Sequence, residues 1–122
     1  MITGIGIDIL DVRKLEHLIN NRGKEFLNEI FTEKEQAYAK EHHGTPNLAT
    51  AFTGKEAFVK AVGGIKRSDF SMKEIEILRM SSGQPYIELR DPLKEKFNDH
   101  FIYLSLSFTD DIASAIVILE KI

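Results

Sequence analysis

Hydrophobic residues change period along the chain, and each change predicts a new element. From Ile2 to Leu10 they alternate with period two, which sets Ile5, Ile7 and Ile9 on one face and Gly4, Gly6 and Asp8 on the other, as in a strand. Asp11 then predicts a helix cap, with Val12, Leu15, Leu18 and Ile19 as the apolar stripe and Arg13, Lys14, His17, Asn20 and Asn21 facing outward. Thr32 with Glu35 three positions on is a capping box, opening a helix through Ala37 and Tyr38 that ends near Gly44 and Pro46. Between Asn47 and Val62 the residues Leu48, Phe52, Val59 and Val62 recur at helical spacing, Lys55, Glu56 and Lys60 lie off that stripe, and Gly63-Gly64 ends the run.

Period two returns in Lys73–Leu78 and Tyr86–Leu89 around Ser82-Gly83-Gln84-Pro85, the pattern of a hairpin. A short helix is expected next, capped by Asp91, with Pro92 in its first turn and Leu93 and Phe97 one turn apart. Phe101–Ser107 and Ala113–Leu119 read as two strands joined through Thr109-Asp110-Asp111. The order strand, helices, hairpin, helix, hairpin lacks regular βαβ alternation and predicts an α+β fold, an antiparallel sheet packed with helices. No repeat, low-complexity tract or proline-rich linker divides the chain, so residues 1–122 are expected to form a single domain.

Composition narrows the function classes. The chain has 122 residues, 43% of them hydrophobic, enough for one core without staples. A net charge of −3 argues against a general nucleic-acid binder. With no cysteine, disulfides, thiolate catalysis and cysteine-ligated metals are excluded. The start of the chain meets Asp8, Asp11, Arg13 and Lys14 too early for a signal peptide, and no stretch is long enough to span a bilayer, so a cytoplasmic protein is expected.

Asp8 is the first chemical oddity, because a carboxylate within an apolar strand is unfavourable unless solvated, paired or bound to a cation. Taken alone it also reads as a strand end capping the next segment. Glu56 and Lys60, at i and i+4, read alone as a solvated helix pair. The histidines His17, His42, His43 and His100 lack the i, i+4 spacing that converges on an ion.

Taken in order, Gly4-Ile5-Gly6-Ile7-Asp8-Ile9, Phe31-Thr32-x-x-Glu35, Phe52-x-x-Lys55-Glu56-Ala57-Phe58-x-Lys60-Ala61, Gly83-x-Pro85 and Ser105-Leu106-Ser107 span nearly the whole chain. Their order and spacing resemble the signatures of the holo-[acyl-carrier-protein] synthase family of 4'-phosphopantetheinyl transferases. The resemblance implies transfer of phosphopantetheine from coenzyme A to a carrier-protein serine. It implies that Asp8 and Glu56 hold magnesium against the pyrophosphate, a donor set of hard oxygens that suits this ion. Glu56 and Lys60 become the catalytic residues, with Lys60 stabilising charge on the phosphates and Lys55 a second candidate cation. The base for the serine is a metal-bound water or Glu56. Phe52, Lys55, Lys60, Gly63, Pro85 and Ser107 are the expected coenzyme A contacts. Arg13, Lys14, Arg22 and Lys24 supply a basic surface for an acidic acyl carrier protein, as steering requires. A homotrimer with active sites between subunits is also implied, with neither nucleic acid nor membrane as a partner.

Two positions depart from the family pattern. Ala51 stands where arginine is usual and Phe108 where histidine is usual, while Gly63-Gly64-Ile65 alters the glycine-rich loop. Losing one charge-assisted hydrogen bond to phosphate is worth about 1.5–3 kcal/mol, whereas losing a general base is worth roughly 10²–10⁴ in rate. The competing expectation is therefore a paralogue that keeps the fold and binds a nucleotide, coenzyme A or a carrier protein without transfer.

Overall fold

Strand β1 runs from Ile2 to Asp11, and Asp11 accepts a hydrogen bond from the Arg13 N–H at 2.9 Å to start α1, Val12–Ile30. The computed structural model describes residues 1–122. Helix α1 is interrupted at Gly23, whose φ of 65° puts a kink in its middle. Thr32 and Glu35 form the expected reciprocal cap of α2, Glu33–Glu41. Helix α3, Thr45–Val62, ends at Gly63 in the left-handed region. A strap with two short 3₁₀ turns, Arg67–Asp69 and Met72–Glu74, leads to β2, Ile75–Arg79, and β3, Pro85–Leu89. Helix α4, Leu93–Lys96, precedes β4, His100–Phe108, and β5, Ile112–Lys121.

The strands make two antiparallel sheets, β1-β5-β4 and β2-β3. Register places Ile7 opposite Ile116 and Ile116 opposite Ser105, so one face of the larger sheet carries Ile5, Ile7, Ile9, Tyr103 and Ile116 outward. Its other face packs on α3 through Gly6, Ala113, Ala115, Val117 and Leu119. The core gathers around α3, with Leu15 and Phe26 from α1, Phe31, and Ile75, Ile77, Ile87 and Leu89 from the smaller sheet.

Three local expectations are corrected. Leu18 is exposed, because the α1 stripe narrows to Val12, Leu15 and Ile19 before the kink. Asp91 makes no side-chain cap; Pro92 holds that position. In α3 the half-buried stripe Leu48, Phe52, Val59 and Val62 is the outer side of a helix buried nearly all round. Its innermost residues are Ala49, Thr53, Gly54, Ala57, Phe58 and Ala61, small side chains for the most part that let strands approach its axis.

Candidate active site

Gly4 and Gly6 bring β1 directly onto α3. A Cβ at Gly6 would stand 1.9 Å from the Ala57 carbonyl oxygen, and one at Gly4 1.9 Å from that of Ala61, so no larger residue fits either position. Asp8, next on this face, is thereby held beside the helix. The Lys60 ammonium donates to the Ile7 carbonyl oxygen and to Asp8 Oδ1, both at 3.0 Å. Glu56, one helical turn before Lys60, accepts from the guanidinium of Arg67 in the strap. The carboxylate side chains are sunk, 16% exposed at Asp8 and 17% at Glu56, while their cations lie outside at 54% for Lys60 and 55% for Arg67.

Lys55 departs from its expected role. Its side chain is fully buried, and its ammonium donates to Glu35 at 2.9 Å and to the carbonyl oxygens of Met72 and Ile75 at 2.9 and 2.6 Å. All three donors of the ammonium are used, so it cannot serve a phosphate without dismantling this corner. Burial pushes the Lys55 ammonium below its ordinary value, against the opposing pull of Glu35. Glu35 also accepts the N–H groups of Thr32 and Ile77, both at 2.8 Å. Beyond it, buried Glu76 accepts the Thr32 hydroxyl at 2.7 Å and pairs with Arg90. Burial alone would raise Glu76, but the hydrogen bonds from Thr32 and Arg90 outweigh it and hold the carboxyl below the usual range.

The remaining expected contacts are scattered in one chain. Phe52 is half-buried on α3 and Gly63 lies exposed just beyond it. Pro85 opens β3, and Ser107 sits on β4, opposite Ser114 and so on the Ile9 side of the sheet. No hydrogen bond or ion pair joins Pro85 or Ser107 to Asp8, Glu56 or Lys60. On α1, Arg13, Lys14, Arg22 and Lys24 are all exposed. Arg13 pairs with Asp11 and Arg22 with Glu29, leaving Lys14 and Lys24 without salt bridges.

The two departures have near neighbours of suitable chemistry. Ala51 lines a small cavity together with Arg79 and Tyr38, and the Arg79 guanidinium lies 4.9 Å over the Tyr38 ring, on which His42 stacks at 4.1 Å. Phe108 meets the ring of His43 edge-on at 5.5 Å. A guanidinium and an imidazole thus stand beside the positions that lack them.

Sequence reasoning missed Arg67. It lies in an irregular strap where no periodicity points to a partner, and its pairing with Glu56 exists only once the strap folds back on α3. The donor set around Asp8 and Glu56 fits an oxygen-seeking dication: two sunken carboxylates, each already accepting from a cation. No group of three or more histidine, aspartate or glutamate side chains converges anywhere.

Comparison with known proteins agrees across the whole chain. A profile of the 4'-phosphopantetheinyl transferase superfamily matches residues 4–117. A protein of Wolbachia sp. subsp. Brugia malayi named holo-[acyl-carrier-protein] synthase is 40% identical over 98% of this chain and 96% of its own. The crystal structure of the synthase of that name from Neisseria meningitidis superposes with a TM-score of 0.88 at 32% identity, covering 99% of this chain and 100% of the other. One from Bacillus anthracis, in complex with CoA (3',5'-ADP), superposes at 0.83 with 33% identity, covering 100% and 99%. With β1 glycines pressed on α3, Asp8 bonded to Lys60 and a profile match over residues 4–117, this chain belongs to the 4'-phosphopantetheinyl transferase superfamily.

Proposed function

We propose that the chain, as one domain over residues 1–122, is a holo-[acyl-carrier-protein] synthase. It transfers the 4'-phosphopantetheine group of coenzyme A to a serine of an apo-acyl carrier protein. The observation that carries this is the Asp8–Lys60 contact at 3.0 Å, made from the helix that carries Glu56 one turn before Lys60. The serine Oγ bonds to the phosphorus on the pantetheine side, the bond from that phosphorus to the bridging oxygen breaks, and 3',5'-ADP leaves with the electron pair. The hydroxyl proton passes to a base.

Asp8 and Glu56 are the residues that would hold a magnesium ion, which when bound would neutralise charge on the attacked phosphate and on the leaving group. Lys60 is long and exposed enough to turn from the Ile7 carbonyl to a phosphate oxygen, where its charge counts most in the transition state. Arg13, Lys14, Arg22 and Lys24 line the exposed side of α1 and fit an acidic carrier.

The outward face sets Ile5, Ile7, Ile9, Tyr103 and Ile116 side by side in solvent, an exposed apolar row that supports burial between subunits of a homotrimer. Placing sites between subunits also accounts for Pro85 and Ser107 lying apart from Asp8 and Glu56 in a single chain. No helix is long and apolar enough to cross a membrane; a cytoplasmic enzyme without nucleic-acid partners accords with the composition. Intact-mass analysis tests the transfer: wild-type protein with magnesium, coenzyme A and an apo-acyl carrier protein yields a carrier heavier by one phosphopantetheine. An unmodified carrier despite tight coenzyme A binding would favour the non-transferring paralogue.

A further inference from the structure

Arg67 and Lys60 are both exposed cations at this site, and Arg67 is the one that pairs with Glu56. One guanidinium nitrogen donates to Glu56 and another to the soft sulfur of Met72 at 3.3 Å, and the side chain is 55% exposed. It also lines a hollow of about 340 Å³ with Glu29 and Ile30 of α1 and Phe70, Ser71 and Met72 of the strap. No other side chain hydrogen-bonds to Glu56, so this residue alone neutralises that carboxylate.

Arginine does not lose its proton in proteins, so its charge leaves Glu56 only by movement of the side chain. Arg67 holds one oxygen of Glu56, and a dication arriving on the same carboxylate repels the guanidinium at close range, which favours its displacement. The displaced guanidinium stays tethered by the strap within reach of the site, and its planar fork matches phosphate oxygens in a way an ammonium does not.

We infer that Arg67 is an exchangeable counter-ion: it occupies Glu56 in the unliganded protein, yields it to the divalent metal, and then binds the diphosphate of coenzyme A. This rests on the proposed role of Glu56 as a metal ligand. Lys60 bonds to Asp8 and the Ile7 carbonyl and not to Glu56, so the exchange at Glu56 falls to Arg67.

Manganese binding without coenzyme A, followed by the free-ion electron paramagnetic resonance signal, separates the possibilities. Glu56→Gln should lose the site, whereas Arg67→Gln should bind manganese about two- to fivefold more tightly than wild type, the scale of one exposed ion pair. With magnesium present, calorimetry should show Arg67→Gln binding coenzyme A roughly ten- to a hundredfold more weakly, and Arg67→Lys in between. Unchanged or weaker manganese binding by Arg67→Gln, with Glu56→Gln still losing it, overturns the exchange and leaves the metal role intact. Wild-type manganese binding by Glu56→Gln overturns the metal role and the exchange together. Unchanged coenzyme A affinity in Arg67→Gln overturns the diphosphate contact. Arg67→Met, in which the stem still packs on the strap, repeats the measurement should Arg67→Gln lose its fold, as circular dichroism would show.

Discussion

Lys55 and Lys60 lie on the same helix, each hydrogen-bonded to a carboxylate and to main-chain carbonyl oxygen, and they serve opposite ends. Around Lys55 the donors and acceptors are buried and matched: Glu35, two carbonyls, two N–H groups and then Thr32 and Glu76 form a network across α2, α3 and β2, and only Arg90, on its outer edge, reaches solvent. Around Lys60 the carboxylates are sunk but the cations stand in solvent, so their pairs are weak and replaceable. A buried pair that cannot relax fixes the position of α3; an open pair on that fixed helix can trade its cation for a ligand. The residue types alone do not distinguish the two, and depth does.

The sharpest break in this comparison is at the open corner. Asp8→Ala and Glu56→Ala should each lower transfer by roughly 10³-fold or more, the scale of losing a metal's charge stabilisation, with little change in thermal midpoint. At the closed corner the signs reverse: Lys55→Met strands a buried carboxylate and should destabilise by about 3–5 kcal/mol in urea unfolding. Adding Glu35→Gln to it should restore part of that stability, a coupling the open pair would not show. Lys60→Ala should cost about ten- to a hundredfold in kcat/KM and leave stability within about 1 kcal/mol. The smallest effect concerns Glu76. Its carboxyl is held below its unfolded value, so its contribution is present above that value and is lost as pH falls through the folded one. Glu76→Gln should therefore flatten the acid limb of a stability-versus-pH curve and change the neutral region less.

The regular elements were legible because local patterns determine them. Alternation through Ile9, the Thr32–Glu35 box, Gly63 after α3 and both hairpins all stand where their spacing predicts. Asp8, Glu56 and Lys60 were singled out together through the order of their motifs, and the packing of β1 on α3 brings Asp8 to Lys60. Lys55 was misjudged because a charged residue off an apolar stripe reads as surface, and nothing local announces that Glu35, Met72 and Ile75 will enclose it. The depth of α3 was hidden for a related reason: alanine, glycine and threonine make a weak hydrophobic signal, although a helix lined with them can be the most central element of all.

Calorimetric titration of coenzyme A with and without magnesium tests the joint role of the two acids most directly. For wild type, magnesium should strengthen binding, and in the Asp8→Ala/Glu56→Ala double variant that enhancement should vanish while the fold persists. An equal enhancement in both proteins would mean that the dication binds elsewhere, and that these carboxylates do not hold it.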